Sequence, residues 1–308
     1  MSRPISAAVN SGQHDEGQSL VTRIVYVNGC YKPYAQAHVH AEDRGFQFAD
    51  SVYEVIEVLG GKLIDPTRHL VRLERSLSEL RMPAPMGRAA LLHVIATTIK
   101  RNRVGDGLVY LQVTRGEGPR DFAFPSTETV APNLVIIARS QSQAKIAALA
   151  EAGIAVKTMP DMRWGRSDIK TVMLLPACLA KDAAKRDGAR EVWFMDAAGQ
   201  ITEGASSNAW IVTATGTLVT RQLDEHILGG ITRATLIDCA AREGLSVEQR
   251  PFSRAEALAA KEAFITSASN TVMPVVTIDG MTIAEGRPGP ITRRLRSQFH
   301  HSAEISGV

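Results

Sequence analysis

The first ordered pattern in the chain is a β-rich run, Ile24-Val25-Tyr26-Val27, that meets Asn28-Gly29 and resumes at Cys30-Tyr31, which predicts a hairpin. A second hairpin is predicted where Val52-Tyr53-Glu54-Val55-Ile56-Glu57-Val58 reaches Gly60-Gly61 and returns through Lys62-Leu63-Ile64. The period then changes. Leu70, Leu73, Leu77 and Leu80 recur at helical spacing and make one apolar face, and Leu91, Leu92, Ile95 and Ile99 predict a second helix. Strand-like runs at 109–113 and 134–137 close a first α+β unit, and Arg139-Ser140-Gln141-Ser142-Gln143 has the polar composition of a linker.

The second half opens on Ile154-Ala155-Val156 and continues into a helix from Leu174 to Arg186, ended by Gly188. Hairpins are predicted around the turns at 196–199 and 215–216. A further helix runs from about Thr232 to Arg242, and strands at 263–266 and 275–278 lead to Asp279-Gly280. Without a regular βαβ alternation or a repeat, the fold class is α+β in two domains. The expected boundaries are a loose tail at 1–23, a small domain at 24–138, a linker at 139–144, a larger domain at 145–300 and a tail at 301–308.

Composition narrows the classes of function. With 44% hydrophobic and 22% charged residues the chain can bury a core, and a net charge of +3 without a basic stripe argues against a nucleic-acid binder. Arg293-Arg294-Leu295-Arg296 is expected to be a solvated helix end. Cys30, Cys178 and Cys239 have no paired spacing, so neither a disulfide framework nor a metal site is expected, and a reducing cytoplasm fits. Residues 1–23 lack the apolar stretch of a signal peptide, and no run approaches the roughly 20 apolar residues of a membrane span.

Four segments offer groups suited to an anionic, electron-accepting cofactor. Lys170 would by itself read as a solvated surface charge, but it stands where a polar stretch gives way to Val172-Met173-Leu174-Leu175, and desolvation there would lower its pKa toward that of a free nucleophile. Glu203 reads as a turn residue, or as the carboxylate that keeps a pyridine nitrogen protonated. Gly229-Gly230-Ile231-Thr232 precedes a helix, and its amides suit a phosphate as well as they suit an ordinary turn and cap. Ser267 and its neighbours add hydroxyl and amide donors, and Arg72 would add a permanent charge.

From about Ile24 to Ile291 the chain resembles the class IV, or fold type IV, pyridoxal-phosphate aminotransferases, and among them most the D-amino-acid transaminases. The resemblance rests on ordered matches: Glu42-Asp43-Arg44-Gly45-Phe46-Gln47-Phe48-Ala49-Asp50 with Val52-Tyr53-Glu54-Val55, His69-Leu70-Val71-Arg72-Leu73, Val113-Thr114-Arg115-Gly116 with Pro119-Arg120, and the four segments above. It implies that Lys170 carries pyridoxal 5'-phosphate as a Schiff base and shuttles the proton, and that Glu203 pairs with the pyridine nitrogen. Arg72, Ile231, Thr232, Ser267 and Ala268 are implied to surround the phosphate. It further implies a homodimer with the cofactor between domains, small amino-acid and 2-oxo-acid substrates, and ping-pong transfer from a D-amino acid such as D-alanine to 2-oxoglutarate or a similar acceptor. Tyr53 and the partner chain's Arg120 are implied to hold the substrate carboxylate. One position departs from the pattern: Phe122 stands where an Arg-x-His motif would place a histidine, and it cannot donate a hydrogen bond. An R-selective amine transaminase, a branched-chain aminotransferase and an aminodeoxychorismate lyase remain open as alternatives, although Val52-Tyr53-Glu54-Val55 argues against the branched-chain type. A non-catalytic binder of a phosphorylated ligand is the reading from outside the enzymes.

Overall fold

A computed structural model describes residues 23–306; the expected N-terminal tail therefore lies almost entirely outside the described residues. Two sheets organise the chain. The first has seven strands in the order Ile305–Ser306, Lys62–Ile64, Ser51–Leu59, Gly107–Thr114, Asn133–Ser140, Ile24–Val27, Cys30–Pro33, each antiparallel to its neighbour. Asn28-Gly29 and Gly60-Gly61 make its tight turns, all four residues at positive φ, which is what a two-residue hairpin with right-handed strand twist requires.

Strand alternation divides the faces of this sheet. Val52, Ile56 and Val58 join Val109, Leu111, Val113 and Ile136 in a core covered by the helices Pro66–Glu79 and Arg88–Arg101, through Leu70, Leu73, Leu77, Leu91, Ile95 and Ile99. Tyr53, Val55 and Tyr110 fall on the opposite face and are only half-buried. That face bounds the site described below.

The second sheet is mixed. Its order is Val247–Gln249, Leu218–Thr220, Asn208–Val212, Glu262–Ser267, Thr271–Ile278, Ile154–Pro160, Glu191–Met195, Ile201–Gly204, with Met281–Thr282 added beside Thr271–Ile278. Ile154–Pro160 runs parallel to both of its neighbours, and the helix Leu175–Arg186 makes the crossover to Glu191–Met195. Asn208–Val212 is buried at every residue, so a continuous apolar run rather than alternation marks it.

Three expectations need correction. The polar stretch at 139–144 is not a free linker: Asn133–Ser140 keeps pairing through Ser140, and the helix Gln143–Ala152 begins at once, capped by the Ser142 hydroxyl on the Lys145 amide. Arg293 to Arg296 lie inside the helix Pro290–Ser302 rather than at a solvated end; Leu295 is fully buried, and Arg296 donates to the carbonyls of Asn270 and Val272. The segment at 301–308 does not hang free over its described part. It ends that helix and then joins the first sheet, where Ile305 faces Ile64 and Asp65 accepts from the Glu304 amide at 2.9 Å.

Candidate active site

The segment 161–174 crosses from the second sheet back to the first. It is fastened there by the Tyr53 amide donating to the Lys170 carbonyl at 3.0 Å and the Val172 amide donating to the Ser51 carbonyl at 3.2 Å. Lys170 is thereby placed over the Tyr53 ring, its Nζ 4.3 Å from the ring centroid. Both residues line a cavity of about 270 Å³ between the sheets, which also takes in Arg72, Glu203, Ile231, Thr232, Ser267 and Ala268. Eight of the ten residues singled out for cofactor or substrate, Tyr53 included, are lining residues of this one cavity. Arg120 and Phe122 are not among them.

Glu203 is buried at the end of Ile201–Gly204. Its carboxylate pairs with the Arg163 guanidinium, accepts from Asn208 Nδ2 at 3.0 Å and receives the Leu228 amide at 3.2 Å. Burial nevertheless dominates: it pushes the carboxyl up from 4.5 to about 7, against the opposing pull of Arg163, the Leu228 amide and Lys170. Arg163 is held in turn by Asp161 at 2.7 Å. The sequence assigned no role to Arg163, Asp161 or Asn208; Arg163 meets Glu203 only through the fold, across 40 positions of sequence.

The opposite end of the cavity is cationic and rich in donors. Helix Ile231–Arg242 starts at Gly230 with no side-chain cap, so the amides of its first turn have neither an intrahelical acceptor nor a cap. Gly230 has to be glycine here: a Cβ would sit 1.9 Å from Asn208 Oδ1. Arg72 approaches with Nη1 on the Gly229 carbonyl at 3.0 Å, while Nε and Nη2 grip Glu54 at 2.8 and 2.7 Å. Glu54 also contacts His69 Nδ1 at 2.7 Å. Burial would raise the Glu54 carboxyl, but Arg72 and His69 overcome it and hold it at about 2. For His69, burial outweighs the pull of Glu54 and lowers the imidazole from its ordinary range.

These residues fit pyridoxal phosphate. An uncapped helix start and an arginine suit its phosphate, a buried carboxylate suits its ring nitrogen, and an amine lies between them. Tyr110, pushed up to about 12 by burial and by Tyr53, packs its ring 5.6 Å from that of Tyr53.

Arg120 is exposed, its guanidinium 4.7 Å from the Phe48 ring centroid, and Phe122 is 85% exposed against the same ring. Their loop is held from below. Asp50, its side chain only 7% exposed, binds Arg44 at 2.8 Å and Arg115 at 2.7 and 3.0 Å, and Arg44 Nη1 donates to the Asp121 carbonyl at 2.6 Å. The motifs at 42–50 and 113–116 are thus the footing of the Arg120 loop.

A two-sheet fold whose cavity takes in a lysine, a buried carboxylate, an arginine and an uncapped helix start defines the setting of a pyridoxal-phosphate enzyme class, and the comparisons agree. Residues 51–278 match the family Amino-transferase class IV. The chain is 36% identical over 280 residues to D-alanine aminotransferase of Staphylococcus haemolyticus, covering 91% of this chain and 98% of the relative. It is 34% identical over 280 residues to D-alanine aminotransferase of Bacillus licheniformis, covering 90% and 96%. Among solved structures, branched-chain amino acid aminotransferase of Escherichia coli superposes with a TM-score of 0.84 at 24% identity, over 91% of this chain and 94% of that one. Branched-chain aminotransferase of Thermoproteus uzoniensis gives 0.81 at 23% identity, over 91% and 94%. The structures speak for the fold alone. The chain belongs to the class IV aminotransferases, which are pyridoxal-phosphate-dependent enzymes.

Proposed function

We propose that this enzyme moves the amino group of a D-amino acid to a 2-oxo acid in two half-reactions, working as a homodimer in the cytoplasm. The observation that carries the reading is the convergence of Lys170, Glu203 and Arg72 on one cavity in a chain whose relatives are D-alanine aminotransferases. When bound, the cofactor supplies an electron sink for negative charge on the substrate's Cα. Lys170 is the amine that would hold the cofactor covalently, take the proton from the substrate's Cα as a base and deliver it to the cofactor's C4′ as an acid. Glu203, ionised beside the ring nitrogen and steadied by Arg163 and Asn208, keeps that nitrogen protonated. Arg72 and the amides of Ile231 and Thr232, with Ser267 and Ala268, bind the phosphate.

Tyr53 stands beside Lys170 to meet the substrate carboxylate. Arg120 lies outside the cavity of its own chain, so we assign it to the partner subunit's site, carried across on the loop that Arg44 and Asp50 support. Because Phe122 offers no donor there, Arg120 is the main anchor on that loop.

A donor screen with D-alanine, L-leucine, an aromatic R-amine and aminodeoxychorismate tests the assignment. D-alanine should be turned over with a 2-oxo acid, and Lys170→Ala should abolish that turnover while the protein still binds pyridoxal phosphate. Preference for L-leucine or for the amine, or a Lys170→Ala variant as fast as wild type, contradicts it.

A further inference from the structure

Ser267 and Ala268 stand on a turn whose backbone is unfavourable by itself. The strands Glu262–Ser267 and Thr271–Ile278 are joined through residues 268–270, with Ser267 facing Thr271. Thr271 sits at φ 55 and is the one β-branched side chain among the described non-glycine residues at positive φ. A side chain branched at Cβ crowds the backbone in that region, so the conformation persists only where its surroundings impose it.

The turn's own bonds are weak. The Asn270 amide reaches the Ser267 carbonyl at 3.3 Å, and the Ser267 and Ser269 hydroxyls are 3.3 Å apart. The strand Ile154–Pro160 pairs only from Val275 onward, so it gives the turn no ladder on that side. Short bonds come instead from Arg296, whose Nη1 donates to the Asn270 carbonyl at 2.7 Å and to the Val272 carbonyl at 2.6 Å, one on each side of Thr271. A charged donor strengthens both bonds, and a single nitrogen serving two carbonyls fixes their separation.

The helix that carries Arg296 is itself fastened. Pro290–Ser302 buries Leu295 and Phe299 in the core that holds Trp210, Phe264 and Val272, its Thr292 amide and hydroxyl donate to Glu262 at 2.7 and 2.6 Å, and His300 contacts Glu57 of the first sheet at 3.1 Å. Glu262 begins the strand that ends at Ser267, so helix and turn share one frame.

We infer that Arg296 is a positioning residue for the cofactor phosphate: its two bonds hold Thr271 in the left-handed conformation, and this keeps Ser267 and Ala268 at the cavity. The inference rests on the assignment of Ser267 and Ala268 to that phosphate.

The test is binding of pyridoxal phosphate, and of pyridoxal, which lacks the phosphate, to the full-length apoprotein, followed by visible absorption in wild type, Arg296→Met, Arg296→Gln and Thr271→Asn. Methionine keeps an apolar stem and no donor, whereas glutamine restores two N–H groups on one nitrogen without the charge. Arg296→Met should weaken pyridoxal phosphate about tenfold, the worth of one charge-assisted hydrogen bond, and leave pyridoxal within about twofold. Arg296→Gln should recover most of the loss. Asparagine tolerates the left-handed region, so in a Thr271→Asn background Arg296→Met should cost about threefold or less. That double variant also carries the comparison if Arg296→Met alone does not fold, with pyridoxal phosphate again the more weakened ligand. Equal weakening of both ligands, no weakening of either, a glutamine variant as impaired as the methionine one, or full additivity with Thr271→Asn overturns the inference. A wild type that bound pyridoxal as tightly as pyridoxal phosphate would instead be a failure of the phosphate assignment on which it rests.

Discussion

Glu203 shows how one residue is made to serve a cation. Burial pushes its carboxyl up to about 7, from 4.5 in the free side chain, despite the pull of Arg163. A raised folded-state value means that the folded protein holds the proton more tightly than the unfolded chain, so the associated stability is fully present below about pH 4.5 and is lost as pH rises through about 7. The apoprotein should therefore lose more melting temperature between about pH 5 and pH 7 than a Glu203→Gln apoprotein does. Melting curves of both proteins across that range check this, and parallel curves would contradict it. At this scale the sequence was partly legible. Lys170 and Glu203 sat in segments whose resemblance gave them roles, whereas Arg163, Asn208 and Glu54 became partners only when strands and helix met.

Elements carry a second kind of information, namely what holds a functional loop that is itself exposed. Asp50 is buried between two arginines, and Asp43 caps the short helix Arg44–Phe48 while accepting from Thr114 at 2.7 Å. Gly45 fits beneath this only because it lacks a Cβ, which would lie 2.5 Å from Thr114 Cγ2. Breaking a buried pair strands its partner's charge, at a cost of about 3–5 kcal/mol. Asp50→Asn should lower the melting temperature by several degrees and, by freeing Arg44 from its place under the Asp121 carbonyl, reduce kcat/KM for amino acids more than it weakens cofactor binding. Thermal unfolding, cofactor titration and kinetics on one preparation measure all three; unchanged stability would mean that the pair is dispensable. The long amphipathic helices and glycine hairpins were readable because local period and turn chemistry decide them. The five-residue helix Arg44–Phe48 and the strand Ile305–Ser306 were not, since each is too short to show a period and is fixed by distant partners.

Over the whole molecule, the chain closes on itself and sets the cavity between its sheets. Asp65, at the start of Pro66–Glu79, accepts from the Glu304 amide and from Thr235 Oγ1 at 2.7 Å, tying the C-terminal segment and the helix Ile231–Arg242 to the first sheet. The helix bearing Arg72 and the helix start at Gly230 are thereby held to one another, so the cationic end of the cavity is a product of tertiary closure and not of any one motif. The α+β class followed from the mixture of hairpins and helices. The parallel pairing about Ile154–Pro160 did not, because a short apolar strand carries no mark of its neighbours' direction. The account turns on Lys170 being the amine that holds the cofactor. Borohydride reduction of the holoenzyme, followed by proteolysis and peptide mass mapping, tests this most directly: the pyridoxyl group should appear on the peptide containing Lys170 and vanish in Lys170→Ala, whereas a modification on another lysine, or on none, would contradict it.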